Sequence, residues 1–142
     1  MPIHPYFVRT LVQPSAIIQA VSCAFCSPLP ARDLVVLRSG LLEVYIVNGS
    51  DASTRLTLHA SHTLSGVVTG LGRLTPPESD RELIVAIGDK RVHILKFDAT
   101  LNAVLIVETV SLPSPVTTRL IGPADGSFLL ICTGSHIYAL LA

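Results

Sequence analysis

The chain has 142 residues, with ten basic and ten acidic side chains, so its formal net charge is zero. Only 14% of its residues are charged while 49% are hydrophobic, and its mean hydropathy is +0.59. That balance excludes a disordered chain, which needs low hydrophobicity and excess charge. It also excludes a generally basic nucleic-acid-binding domain and an acidic or polybasic tail. A membrane-spanning helix needs about 20 consecutive apolar residues, and every apolar run here is broken sooner by Gly, Pro, Asp or Arg. The start, Met1-Pro2-Ile3-His4-Pro5-Tyr6, lacks the basic head and apolar core of a signal peptide. A cytosolic or nuclear location is therefore expected.

In chain order the pattern predicts strand after strand. An extra strand over 6–12 comes first. Then follow Ala16 to Phe25, Asp33 to Leu37, Leu41 to Val47 and Thr54 to Ser61, each rich in β-branched residues and bounded by turn formers. A second group covers Gly66 to Leu74, Leu83 to Ile87, Arg91 to Phe97 and Ala103 to Ser111. A third covers Val116 to Ile121, Ser127 to Cys132 and His136 to Leu141. No segment keeps a long apolar face of helical period, and ten prolines with nine glycines punctuate the chain throughout.

A strand, tight turn, strand device recurs three times, with Gly40, Gly88 and Gly134 in its turns, 48 and then 46 residues apart. Periods of about 40 to 50 residues with four strands each mark β-propeller blades. The expected fold is all-β, about two and three-quarter four-stranded blades of an incomplete propeller. Blade one spans about 16–61, blade two about 66–111, and a partial blade three about 116–142. Propellers close with roughly four to eight blades, so the chain is expected to be the opening piece, or a shortened form, of a longer protein.

The residues that could carry chemistry are few. Cys23-Ala24-Phe25-Cys26 has the spacing of a zinc knuckle, and His59 with His62 could complete a Cys2His2 set. Both pairs lie in apolar, strand-like runs without a knuckle glycine, which favours small core cysteines instead. Gly70-Leu71-Gly72 leads into Arg73-Leu74-Thr75-Pro76-Pro77, with no helix, so it is read as an inner strand and not a dinucleotide loop. Asn48-Gly49-Ser50 is read as a turn. G-x-S-x-G is absent, and the histidines lie in separate segments; His93 and His136 are placed at matching repeat positions. Glu78, Asp80 and Glu82, with Arg81 among them, are read as a solvated loop. Among the basic residues only Lys90 and Arg91 adjoin, which makes them the candidates for nucleic-acid contact. No catalytic residue, metal or cofactor is expected, and no small-molecule substrate or membrane partner.

The order of these pieces resembles one family. Pro14-Ser15-Ala16-Ile17-Ile18 opens the pattern, Ser22 to Phe25 precedes Asp33-Leu34-Val35-Val36, and Leu42-Glu43-Val44-Tyr45 follows a turn. Ser65 to Val68 then leads to Asp80 through Asp98, and the run Gly122 to Leu140 closes it. The layout is similar to the N-termini of the triple-propeller scaffold proteins. These include the largest subunit of the cleavage and polyadenylation specificity factor, the large subunit of the damaged-DNA-binding complex, and a propeller subunit of the branch-site splicing factor. The turn Pro123-Ala124-Asp125-Gly126 departs from the family by lacking an Arg after the Gly. The resemblance implies a nuclear, non-catalytic scaffold that binds other subunits of a multiprotein complex, with indirect association with RNA or DNA. It implies pre-mRNA 3′-end processing, with a cullin ubiquitin-ligase adaptor in DNA repair as the alternative. A small zinc-binding β-domain or enzyme is the alternative of another class. By itself the chain is expected to be poorly soluble or oligomeric.

Overall fold

A computed structural model describes residues 16–49, 55–88, 90–112, 121–123, 125–132 and 137–141. The expected strand over 6–12, the turn at Gly134 and His136 lie outside them, as does all of the 116–121 strand but Ile121. The described residues form ten strands and no helix: β1 Ile17–Cys23, β2 Asp33–Arg38, β3 Leu41–Asn48, β4 Arg55–Thr63, β5 Val68–Leu74, β6 Leu83–Gly88, β7 Arg91–Asp98, β8 Ala103–Ser111, β9 Phe128–Cys132 and β10 Ile137–Leu141. They build two four-stranded antiparallel sheets, β1-β2-β3-β4 and β5-β6-β7-β8, and a two-stranded sheet of β9 and β10. Ile121 adds an antiparallel bridge to Leu130 of β9, with main-chain bonds of 3.1 and 2.7 Å in the two directions. The sheets are open, and they stack as propeller blades do, two complete and a third in part.

Strand alternation explains the stacking. In β6, Ile84 and Ala86 enter the core shared with the first sheet, while Val85 and Ile87 enter the core shared with the third. A strand buried on both faces has no polar alternate positions to offer, and this is why Leu83–Gly88 reads as a continuous apolar run. The first core joins Phe25, Val35, Leu37, Leu42 and Val44 of blade one to Val68, Leu71, Ile84 and Leu95 of blade two. The second joins Leu74, Val85, Ile87 and Val92 of blade two to Leu129 and Ile131 of blade three.

The structure corrects the register of the repeat. The amide of Leu64 donates to the Gly40 carbonyl at 2.9 Å, and the amide of Leu112 donates to the Lys90 carbonyl at 2.7 Å. Leu64 caps the first core and Leu112 the second. Gly40 therefore corresponds to Lys90, not to Gly88. Of Gly40 and Gly88, only Gly40 has the left-handed φ, +68°, that its turn requires. Gly88 is glycine for another reason: a Cβ there would lie 2.5 Å from the Val67 carbonyl oxygen. In the same register β7 faces β6 with His93 opposite Ala86, and β10 faces β9 with Tyr138 opposite Ile131. His93 thus matches Tyr138, and the sequence pairing of His93 with His136 is two positions out.

Candidate functional site

Blades one and two are joined by the side chains of Glu82 and Gln19, and Asp33 shapes the blade-one loop beside them. Asp33 is 1% exposed at the start of β2. Its carboxylate accepts from the Cys26 amide at 2.7 Å and from the Ser27 amide and hydroxyl, both at 2.8 Å. It therefore holds the loop after β1 in place. Glu82 is 2% exposed, just ahead of β6. Its Oε2 accepts from the Ala24 amide at 2.7 Å, and its own amide donates to the Ala24 carbonyl at 2.7 Å. Its Oε1 accepts from the Thr75 hydroxyl at 2.7 Å and from Arg73, with which it is ion-paired. Gln19 makes a third link: its side-chain amide donates to the Leu71 carbonyl and accepts from the Leu71 amide, both at 2.9 Å. One side chain thus copies a β-ladder step between two sheets that share no strand pairing.

Burial pushes the Glu82 pKa up, but the Thr75 hydroxyl, the Ala24 amide and Arg73 outweigh it and hold the carboxyl below its ordinary value. Glu82 is charged, dry and fully bonded. The expected solvated loop of Glu78, Asp80 and Glu82 therefore divides. Glu78 and Asp80 are exposed, while Glu82 is the most engaged acid of the inter-blade contact. The available signal was its place immediately before the apolar strand β6.

The knuckle residues are not brought together. Cys23 and Cys26 are buried beside β2, on the inner side of blade one, while His59 and His62 sit on β4, across two intervening strands. Strands in a sheet lie about 4.8 Å apart, so three steps put the pairs far beyond the reach of one metal ion. Burial first, then the Glu82 and Asp33 charges, raise the Cys23 thiol to about 12; burial and Asp33 do the same for Cys26. Metal ligation needs thiolate. His59 instead lies against Phe97 of blade two, ring centroids 5.6 Å apart, and Phe97 also meets Phe25 at 6.4 Å. Among the described residues no three His, Cys, Asp or Glu side chains gather as a metal site.

Lys90 and Arg91 are exposed at the β6–β7 hairpin, where with Ser65, Gly66, Val67, Gly88 and His93 they line a cleft of about 320 Å³. His93 is 5% exposed, and its Nδ1 lies 2.9 Å from the Thr109 hydroxyl. Burial, Arg91 and His62, in that order, lower its pKa, so it stays neutral beside the two cations. Gly70-Leu71-Gly72 lies within β5, an inner strand abutting β1.

Apolar side chains are exposed on both end sheets. On the far side of blade one Ile17, Val47, Leu56 and Leu58 are exposed, around an Arg38–Glu43 ion pair that the Tyr45 hydroxyl joins at 3.1 Å. On the far side of blade three Phe128, Ile137 and Leu141 are exposed. Among the described residues no helix is long and apolar enough to cross a membrane.

Fold and surface define an open stack of β-propeller blades with an uncovered apolar sheet face at each end. No family model matches the chain. It is similar to Protein cft1 of Aspergillus niger, with 29% identity over 101 residues, covering 62% of this chain and 7% of that protein. The chain thus spans a small fraction of the length of the curated relative it matches.

Proposed function

We propose that the protein is a non-catalytic interaction scaffold, the N-terminal blades of a propeller subunit in a nuclear complex that processes pre-mRNA 3′ ends. The observation that carries this reading is the likeness to Protein cft1 over 101 residues, which we take as a counterpart of the largest cleavage and polyadenylation factor subunit. The order of strand motifs supports the same branch. The non-catalytic part draws support from the chemistry at hand: buried Asp33 and Glu82 are spent on main-chain amides, and both inner cysteines are held as thiols. Lys90 and Arg91 are a small basic patch beside an otherwise neutral surface, so contact with RNA is assigned to the assembled complex and not to this chain alone.

Affinity purification of the tagged chain from nuclei, with quantitative mass spectrometry of what elutes, tests the reading. Enrichment of cleavage and polyadenylation subunits is the expected outcome. Enrichment of cullin ligase subunits in their place would move the protein to the DNA-repair branch, and enrichment of neither would overturn the scaffold assignment.

A further inference from the structure

The cleft at the β6–β7 hairpin carries charged and hydrogen-bonding groups that no contact within the chain uses. Its lining comes from two segments: Ser65 to Val67, in the link from blade one to blade two, and Gly88 to His93 at the hairpin. Lys90 and Arg91 are both exposed, and neither has an ion-pair partner; the ion pairs among the described residues join Arg38 to Glu43 and Arg73 to Glu82. Among the described residues no carboxylate lines the cleft. Asp89, next to Lys90 in sequence, lies outside them. His93 supplies a third group. It is 5% exposed, its Nδ1 is held by the Thr109 hydroxyl, and its Nε2 has no hydrogen-bond partner. Nε2 is not sealed from solvent either, since among the described residues the buried side-chain nitrogen without a partner is Nε of Arg81. A hydroxyl donates as readily as it accepts. When Thr109 gives its proton to Nδ1, the neutral ring carries its own hydrogen on Nε2. Across from the ring, Gly66 leaves space: a Cβ there would meet nothing within 4 Å.

Two adjacent cations, a buried donor and an open floor make a site for one compact anion. We propose that the cleft binds the phosphate of a phosphorylated serine or threonine on a partner protein, with Lys90 and Arg91 pairing its oxygens and His93 Nε2 donating to one of them. Two side-chain cations match the charge of a phosphate monoester, about −1.5 to −2 at neutral pH, better than the single charge of a carboxylate. Arg forks onto two phosphate oxygens, while Lys acts as a point charge. Among the described residues no aromatic side chain lines the cleft, so a nucleobase would find no stacking platform there. That favours a phosphorylated side chain over a nucleotide. Val67 is 69% exposed beside the site and offers an apolar contact to the residue next to the phosphate. The phosphate arrives on the partner, and this chain makes and breaks no covalent bond. The inference rests on the cleft alone and is independent of the nuclear complex proposed above.

The test is fluorescence anisotropy with the whole chain and a fluorescein-labelled peptide, Ala-Val-phosphoserine-Val-Ala. Saturable binding is expected, with none to the serine peptide and binding about tenfold weaker to the glutamate peptide. Lys90→Gln/Arg91→Gln should weaken binding about tenfold or more, and Ser65→Asp, which sets a negative charge in the cleft, should do the same. Arg55→Gln/Lys96→Gln removes equal charge from outside the cleft and should change nothing. All five positions are exposed, so a circular dichroism melt matching the wild type confirms that each variant folds. Absence of saturable binding overturns the proposal, as does equal binding of the serine or glutamate peptide. So does a cleft variant that binds like the wild type, or an equal loss in the control variant, which would mean general charge attraction. Adenosine monophosphate should compete no better than inorganic phosphate; tighter competition would give the site to a nucleotide and overturn the phosphoprotein assignment.

Discussion

The contact between blades one and two and that between blades two and three use the same sheet faces but differ in chemistry. The first pairs a broad apolar core with Glu82 and Gln19, whose side chains engage three main-chain groups across the contact. The second has a thinner core of seven buried residues among those described, and its main-chain link is the Thr75 amide donating to the Gly126 carbonyl at 2.8 Å. Gly126 lies so close that a Cβ would meet the Thr75 hydroxyl at 2.3 Å. Apolar faces supply most of the attraction, but they are non-directional. The buried Glu82 carboxylate fixes which residue meets which, since a charged group left without its amide in the interior is costly.

The largest expected effect comes from breaking the first core. Leu37→Ala, at a fully buried position, should lower unfolding stability by about 3 kcal/mol. Because the chain has no Trp, urea titration followed by far-ultraviolet circular dichroism at fixed protein concentration is the measurement. Ile131→Ala in the second core, at the margin of the stack, should cost less; an equal or larger loss would show the two contacts to be energetically alike.

Glu82→Gln comes next, at about 2 kcal/mol, and it should alter the acid limb. The folded pKa of Glu82 lies below its unfolded value, so unfolding takes up a proton as pH falls. Its contribution is complete above the ordinary carboxylate range, about 4.3, and is lost as pH drops through the folded pKa. The variant should show a flatter decline in midpoint urea concentration there; an unchanged acid limb would remove Glu82 from its place as the latch.

Gln19→Ala should cost about 1 kcal/mol, read in the same titration, and should speed amide exchange at Leu71, which the Gln19 carbonyl oxygen protects. A smaller effect belongs to His93, whose folded pKa is depressed below the model-peptide value of 6.5. Its stabilisation is present above pH 6.5 and decays below it, so His93→Gln should flatten the midpoint between that pH and the Glu82 limb. The least change is expected on metal removal. Purified protein should carry no stoichiometric zinc, and chelator should leave its melt unmoved. One equivalent of zinc would contradict the buried-thiol description of Cys23 and Cys26.

Much of the fold was legible residue by residue. Ala103 to Ser111 begins and ends where the pattern places it, and β2, β3, β6 and β7 differ by one residue at their ends. Alternation, β-branching and turn residues act within a few positions along the chain, and that is the range a sequence displays. The latch was not legible. Its place before an apolar strand sets Glu82 apart from Glu78 and Asp80, but its burial depends on Ala24 arriving from 58 residues away. The repeat register failed for a related reason. Gly40 and Gly88 look alike in sequence, but one satisfies a turn and the other a close approach by Val67.

The sequence by itself determined an all-β chain of four-stranded units with too little charge to cover an ordinary surface. Only the tertiary structure decided which side of each strand is covered, which acids are drawn inside, and that both end sheets carry exposed apolar residues. Local pattern sets the period of a strand, whereas burial is a property of what packs against it. In this molecule that is always another blade.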